Sequence, residues 1–209
     1  MSKLFTSSIT SLGTSPAVLA ASPALGVLEL NSIALGYAVT DVLVKKAPVH
    51  ILQATTVHPG KFLILFCGQV AETEEALQAG LEKSGSDSTL DSLLLPFAHA
   101  QLVPAIQHLL RTPLEESLGV VETLTVASTL AAADQSVKAA NVQLVHMQLA
   151  DDLGGKAYYV FTGPLEEVQA AVLAGTQGIA KEKFLRDEII ARPHEDSMQY
   201  WKMLLTNKA

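Results

Sequence analysis

The sequence predicts an α+β protein in which one unit, an antiparallel sheet with helices packed on it, occurs twice in tandem. Three observations carry the prediction. A set of residues recurs in the same order in the two halves of the chain. Each half alternates strand-like and helix-like stretches in the order strand–helix–strand–strand–helix–strand. Each half also holds two apolar runs joined by a turn-forming segment, His58-Pro59-Gly60 in the first and Asp151-Asp152-Leu153-Gly154-Gly155 in the second.

The repeat is ordered. Leu25-Gly26-Val27-Leu28-Glu29 is echoed by Leu118-Gly119-Val120-Val121-Glu122, an offset of 93 (118 − 25). At that offset Ala34, Ala38, Asp41, Val44, Lys45, Ala47 and Val49 meet Ala127, Ala131, Asp134, Val137, Lys138, Ala140 and Val142. Beyond the turn the offset is 95, because the second turn is two residues longer. Gly60-Lys61, Phe66, Gly68 and Ala79-Gly80 then meet Gly155-Lys156, Phe161, Gly163 and Ala174-Gly175. Order kept throughout, with one small insertion placed in a loop, is the mark of duplication. The expected division is an extension over 1–23, a first domain over 24–113 and a second over 114–209.

Taken in order, Ala24–Leu30 reads as a strand, and Ser32 can cap a helix running to Lys46, ended by Pro48. Val49–Val57 and Lys61–Cys67 are the hairpin strands, with their alternation blurred by burial on both faces. Val70–Lys83 is a helix with Glu72, Glu74 and Glu75 early, where the helix dipole favours acids. Leu93–Leu95 is expected as a short strand and Ala98–Leu110 as another helix. The second copy gives Leu118–Thr123, Val126–Ala140, Val142–Ala150, Lys156–Thr162, Pro164–Ile179, Leu185–Ile190 and Glu195–Leu204, with Pro164 tolerated at a helix start. The outline is ferredoxin-like.

Composition narrows the function. Hydrophobic residues make up 49% and charged ones 17%, more apolar surface than two small separate domains readily bury, so a large subunit interface is expected. A net charge of −7 without a Lys/Arg cluster argues against nucleic acid. No run of about twenty apolar residues argues for a membrane span. Ala17–Ser22 resembles a signal-peptide cleavage region, but only Lys3 precedes it and Gly13 and Pro16 interrupt the run, so 1–23 reads as a flexible Ser/Thr-rich extension. The lone Cys67 excludes an internal disulfide and fits a reducing compartment.

Chemistry is scarce. There is no phosphate loop, no His-x-x-x-His, no Cys-x-x-Cys and no nucleophile elbow, so no catalytic residue is nominated and an enzyme is not expected. The histidines at 50, 58, 99, 108, 146 and 194 are scattered, and Cys67 reads as a small buried hydrophobe. Asp41 and Asp134, each followed four residues later by lysine, read as ordinary helix pairs.

The Leu-Gly-Val-x-Glu strand, the Asp-x-x-x-Lys-x-Ala-x-Val helix end, the Gly-Lys after each turn and Ile189-Ile190-Ala191-Arg192-Pro193-His194 resemble the bacterial microcompartment shell domain. Two copies in direct, non-permuted order resemble the tandem-domain shell proteins, nearest to the type from propanediol-utilising compartments with a Cys-Pro-Gly-Lys-Phe turn. The resemblance implies a structural homotrimer, a pseudohexagonal tile in the shell of a cytoplasmic microcompartment, with other shell proteins at its edges. It implies a central pore for small metabolites or anions, lined by His58, Pro59, Gly60, Asp151, Asp152, Leu153, Gly154 and Gly155. Tile edges would carry Lys45, Lys138 and Arg192. Leu95-Pro96-Phe97 stands where the second copy has Arg192-Pro193-His194, so the arginine is expected on alternate edges only.

The departure is His58 in place of cysteine. Relatives with cysteine there bind a [4Fe–4S] cluster on the threefold axis, whereas three imidazoles suit a divalent metal or an anion better. The expectation is a polar pore lining without a cluster, with a metal ion at His58 as the alternative that would make the tile an electron conduit. Converging imidazoles resist joint protonation, which favours neutral rings. A duplicated small-molecule-binding regulator is the competing class, and it would need a concave site with convergent polar groups.

Overall fold

The structure, a computed structural model, describes residues 24–206; the extension expected over 1–23 lies outside the described residues. The first copy comprises β1 (Ala24–Leu30), α1 (Ile33–Lys46), β2 (His50–Val57), β3 (Lys61–Gly68), α2 (Val70–Ser84) and β4 (Thr89–Leu95). A short helix α3 (Leu102–Ile106) leads to the second copy: β5 (Ser117–Thr123), α4 (Val126–Ala139), β6 (Gln143–Leu149), β7 (Ala157–Gly163), α5 (Leu165–Gln177), β8 (Phe184–Ala191) and α6 (Glu195–Thr206). The sheets run β2-β3-β1-β4 and β6-β7-β5-β8, antiparallel throughout. This is the expected α+β ferredoxin-like tandem.

Local chemistry explains the boundaries. The Ser32 side chain accepts the Leu35 N–H at the start of α1, and Thr125 accepts the Ser128 N–H at the start of α4. Lys45 and Lys46 close α1, where cations suit the carbonyl end, and extended Ala47 ends it before Pro48. Gln69 and Glu72 form a reciprocal capping box at α2. Gly26 lies opposite Phe66, and Gly119 opposite Phe161. A Cβ at either glycine would sit 2.3 Å from the facing ring, so the repeated Leu-Gly-Val makes room for the repeated phenylalanine.

Three expectations change. Strand β4 is seven residues long, Thr89–Leu95, rather than Leu93–Leu95. Asp91 and Ser92 hid its first half in the sequence, yet it pairs with β1 from Leu30 to Leu25, and Asp91 turns its carboxylate to the second copy. The helix expected over Ala98–Leu110 shrinks to Leu102–Ile106. Pro104 has no N–H and fits only a first turn, and His108, at φ 55°, turns the chain out. Burial on both faces holds for β3 but not for β2, where His50, Ala54 and Thr56 are exposed. The matching β6 is covered: Gln101 donates to Val142 O (3.3 Å) and accepts from Leu144 N–H (2.7 Å), fixing the 96–110 segment against it.

One continuous core joins the copies. Leu25, Val27, Leu65 and Leu95 of the first pack in the same cluster as Val126, Leu130, Tyr159 and Phe161 of the second. A second cluster lies under α1 and α2, and a third where Trp201 and Leu205 of α6 close over Val145 and Val160.

Candidate functional site: two turns and the joint between copies

Val57 pairs with Lys61, so the first hairpin turn is His58-Pro59-Gly60, all three exposed, with a cis His58–Pro59 peptide and Gly60 at φ 88°. The second turn is longer and folded on itself. Ala150, Asp152, Gly154 and Gly155 take left-handed backbone, and Ala150 N–H donates to Lys156 O (3.0 Å) while Leu153 N–H donates to Ala150 O (3.2 Å). Asp151 and Asp152 stay exposed at its tip, and Gln148 reaches Asp151 O (3.3 Å). Gly155 is buried, because Lys61 packs on it; a Cβ there would lie 2.9 Å from Lys61 Nζ. The two turns are therefore neighbours within one chain.

Beside them runs the joint. Glu29, from β1, is buried and its Oε1 accepts the Ala127 N–H (2.9 Å) in the first turn of α4. Burial pushes its carboxyl up to about 7; the Ala127 N–H pulls the other way, Asp91 adds to the rise and Lys61 opposes it. Asp91 accepts from Thr125 Oγ1 (2.7 Å) and Lys183 Nζ (2.8 Å). Further along α4, buried Asp134 accepts the His99 N–H (2.8 Å) and the Lys138 ammonium.

The expected edge residues separate. Lys45 is exposed on Asp41, whereas Lys138 is held by the buried Asp134 of the joint. Arg192 is exposed at φ 49°, its N–H on Glu116 O (3.1 Å). Its first-copy counterpart is Phe97 at φ 55°, two residues off the match expected from Pro96 and Pro193. Leu25 pairs with Leu95 and Leu118 with Ile190, so the 95-residue offset continues to the strand ends. His99 then answers His194, and each ring Nδ1 accepts the N–H two residues on at 3.3 Å. Prolines misled the alignment because neither makes these contacts. Phe97 leaves an exposed aromatic ring where the second copy has its arginine.

Elsewhere, buried His146 lies between the rings of His108 (5.5 Å) and Tyr158 (5.7 Å), while His50 is exposed. Cys67 is buried at the end of β3 away from the turn, level with His50. Among the described residues no cluster of three His, Cys, Asp or Glu within one chain could hold a metal.

The BMC domain matches twice, over residues 24–97 and 117–193. The chain belongs to the BMC-domain family of bacterial microcompartment shell proteins. It is 38% identical over 185 residues to the bacterial microcompartment shell protein PduT of Citrobacter freundii, covering 88% of this chain and 98% of that protein. Over 83 residues, 38% of the chain, it is 39% identical to the carboxysome shell protein CcmK1 of a Synechocystis strain, covering 73% of that protein. A crystal structure of a microcompartment protein from Desulfitobacterium hafniense superposes with a TM-score of 0.76 at 33% identity, over 84% of this chain and 98% of that one.

For a tandem BMC protein the unanticipated feature is the inter-domain joint. Glu29 and Glu122 were legible as repeated acids in apolar strands, an unusual choice for a buried position. Nothing local showed that one of them meets a helix terminus ninety-eight residues away.

Proposed function

We propose that this shell protein assembles as a homotrimer, a pseudohexagonal tile of six BMC domains that meets other shell proteins at its edges. His58, Pro59 and Gly60 would alternate around its central pore with Asp151, Asp152, Leu153, Gly154 and Gly155. The supporting observation is the neighbouring of the two turns across the joint, Lys61 on Gly155, which a closed ring would repeat around one axis. The tile is structural, and its pore passes small metabolites or anions. Sedimentation should give a particle of about three times the 22.2 kDa chain. Electron microscopy should show sheets, lost when Lys138 and Arg192 become acidic while the trimer persists; a stable monomer at micromolar concentration overturns the reading.

A [4Fe–4S] cluster does not fit the residues at this pore. The chain's one cysteine is buried at the opposite end of β3, so His58 would have to replace every thiolate. Three His58 imidazoles around an axis instead form a polar constriction with the chemistry to take a divalent metal or an anion. Anaerobically isolated protein should lack broad cluster absorption, and the His58→Cys variant should acquire it on reconstitution with iron and sulfide. Cluster absorption in the unaltered protein overturns the assignment. Neither an electron-conduit role nor a small-molecule regulator gains support from the relatives.

A further inference from the structure

The buried acid of the joint lies beneath both turns. Glu29, Val57, Lys61, Phe62, Leu63 and Ala150 line one crevice too narrow to hold a water molecule. The groups that face the Glu29 carboxyl are the Val126 and Ala127 N–H groups of α4, Asp91 of β4 and Lys61 of β3. Asp91 already holds Lys183 (2.8 Å), so of these two lysines Lys61 is the one left to answer a charge on Glu29. The second copy shows another arrangement of the same two residues. Glu29 pairs across the sheet with Leu63 and Glu122 with Tyr158, and in each copy a lysine, Lys61 or Lys156, stands two residues before that partner. Lys156 reaches its acid, with Nζ on Glu122 Oε1 at 3.3 Å. In the first copy the pair is parted: Glu29 accepts the Ala127 N–H (2.9 Å), and half-buried Lys61 lies across Gly155. One strand geometry therefore supports both a parted and a paired state.

We propose that Glu29 and Lys61 form a proton-operated latch on the second turn. With Glu29 neutral, Lys61 stays on Gly155; with Glu29 ionised, Lys61 moves to it, as Lys156 sits on Glu122, and the turn over residues 150–156 loosens. Protonated Glu29 needs no counter-charge, and its crevice favours that form because burial disfavours the carboxylate. Ionised, it is a buried charge with no water beside it, which is costly until a cation answers it. The Ala127 N–H answers only part of that charge, and Asp91 repels it. Lys61 supplies the rest by turning from Gly155, and so uncovers the turn. Gly154 and Gly155, at φ 64° and 88°, can leave their present backbone without the penalty of a side chain. The proton selects between the two arrangements because it binds one of them better. Burial pushes the carboxyl up to about 7, so the exchange falls near neutral pH: the turn is held below it and released above. Within one chain the latch needs no assembly; that it gates a pore rests on the tile proposed above.

The test is hydrogen exchange of the full-length protein at about pH 6 and about pH 8, each rate divided by the intrinsic rate at the same pH. The reporters are the N–H groups of Ala150, Leu153 and Lys156, which bond within the turn to Lys156 O (3.0 Å), Ala150 O (3.2 Å) and Leu153 O (3.3 Å). Between those pH values the ionised share of Glu29 rises from roughly a tenth to roughly nine tenths, so protection of these amides should fall about tenfold. Glu29→Gln keeps an acceptor for the Ala127 N–H and cannot ionise; Lys61→Met keeps its stem over Gly155 and cannot pair. Both variants should hold their protection level across the two pH values. The flat profile of Glu29→Gln also separates Glu29 from the histidines, which titrate in the same range. Protection that does not fall in the unaltered protein, or that falls equally in either variant, overturns the latch. A falling profile in a protein that sediments as a monomer keeps the latch and overturns only the pore it would gate.

Discussion

Helix α4 and helix α1 share one pattern and live in two environments. Asp134 is buried, holding both Lys138 and the His99 N–H, while Asp41 holds only Lys45 in the open. Glu29 is sealed against a helix terminus, while Glu122 rests on a lysine near water. The residues were conserved between the copies through duplication, but only one copy shows, in the lone chain, what they are for. The comparison teaches that one residue pattern does not fix one degree of burial: α4 is covered because the first copy packs on it.

The comparison can be broken most sharply at Glu29. A carboxyl whose folded pKa is raised from 4.5 to about 7 is held protonated by the native state more tightly than by the unfolded one. Stability from this group is therefore full below about pH 4.5, declines as pH rises to 7 and is flat above. The decline is roughly 3 kcal/mol at most. Glu29→Gln should remove it and make the protein more stable than the unaltered form at pH 8, measured by urea unfolding. Glu122→Gln, which removes a half-exposed acid paired with Lys156, should give no such gain at pH 8. Equal profiles for the two variants would show that the copies do not differ as described.

Next in size are the glycines that the copies share. Gly26→Ala and Gly119→Ala each drive a methyl into a phenylalanine ring and should each cost about 1–3 kcal/mol by urea unfolding. Here the copies should agree, since both glycines face their own sheet partner rather than a neighbour. A third contrast follows at the aspartates. Asp134→Ala strands the His99 N–H and should cost about 1–3 kcal/mol, whereas Asp41→Ala in the dissociated chain should cost only a few tenths.

The smallest expected effect concerns the ends of β4 and β8. Phe97→Arg places the second copy's residue in the first, and in the lone chain it should change the melting temperature little, because Phe97 is already exposed. If the proposed tile forms, the same substitution should alter the packing between tiles, checked by electron microscopy.

Much of the fold was legible. The offset repeat, the Ser32 cap and the two turns are local signals or signals that duplicate themselves. Strand β4 was only half legible, because Asp91 looks like a loop residue until Thr125 and Lys183 are beside it. The helix expected over 98–110 failed for the opposite reason: its apolar run serves the second copy's β6 as a cover, and Pro104 allows only a single turn. The two hairpin turns fall at the chain positions read from the sequence, but the packing of Lys61 on Gly155 needed both copies in three dimensions.

By itself, the sequence determined that the chain is two copies of one α+β unit, because duplication preserves spacing and spacing sets strand, cap and turn. Only the tertiary structure decided which of two equivalent helices is covered, which of two equivalent acids is buried, and that Phe97 rather than Pro96 anchors the match to the second copy. Periodicity reports that an element has an apolar face; it carries no information about whose surface will cover it.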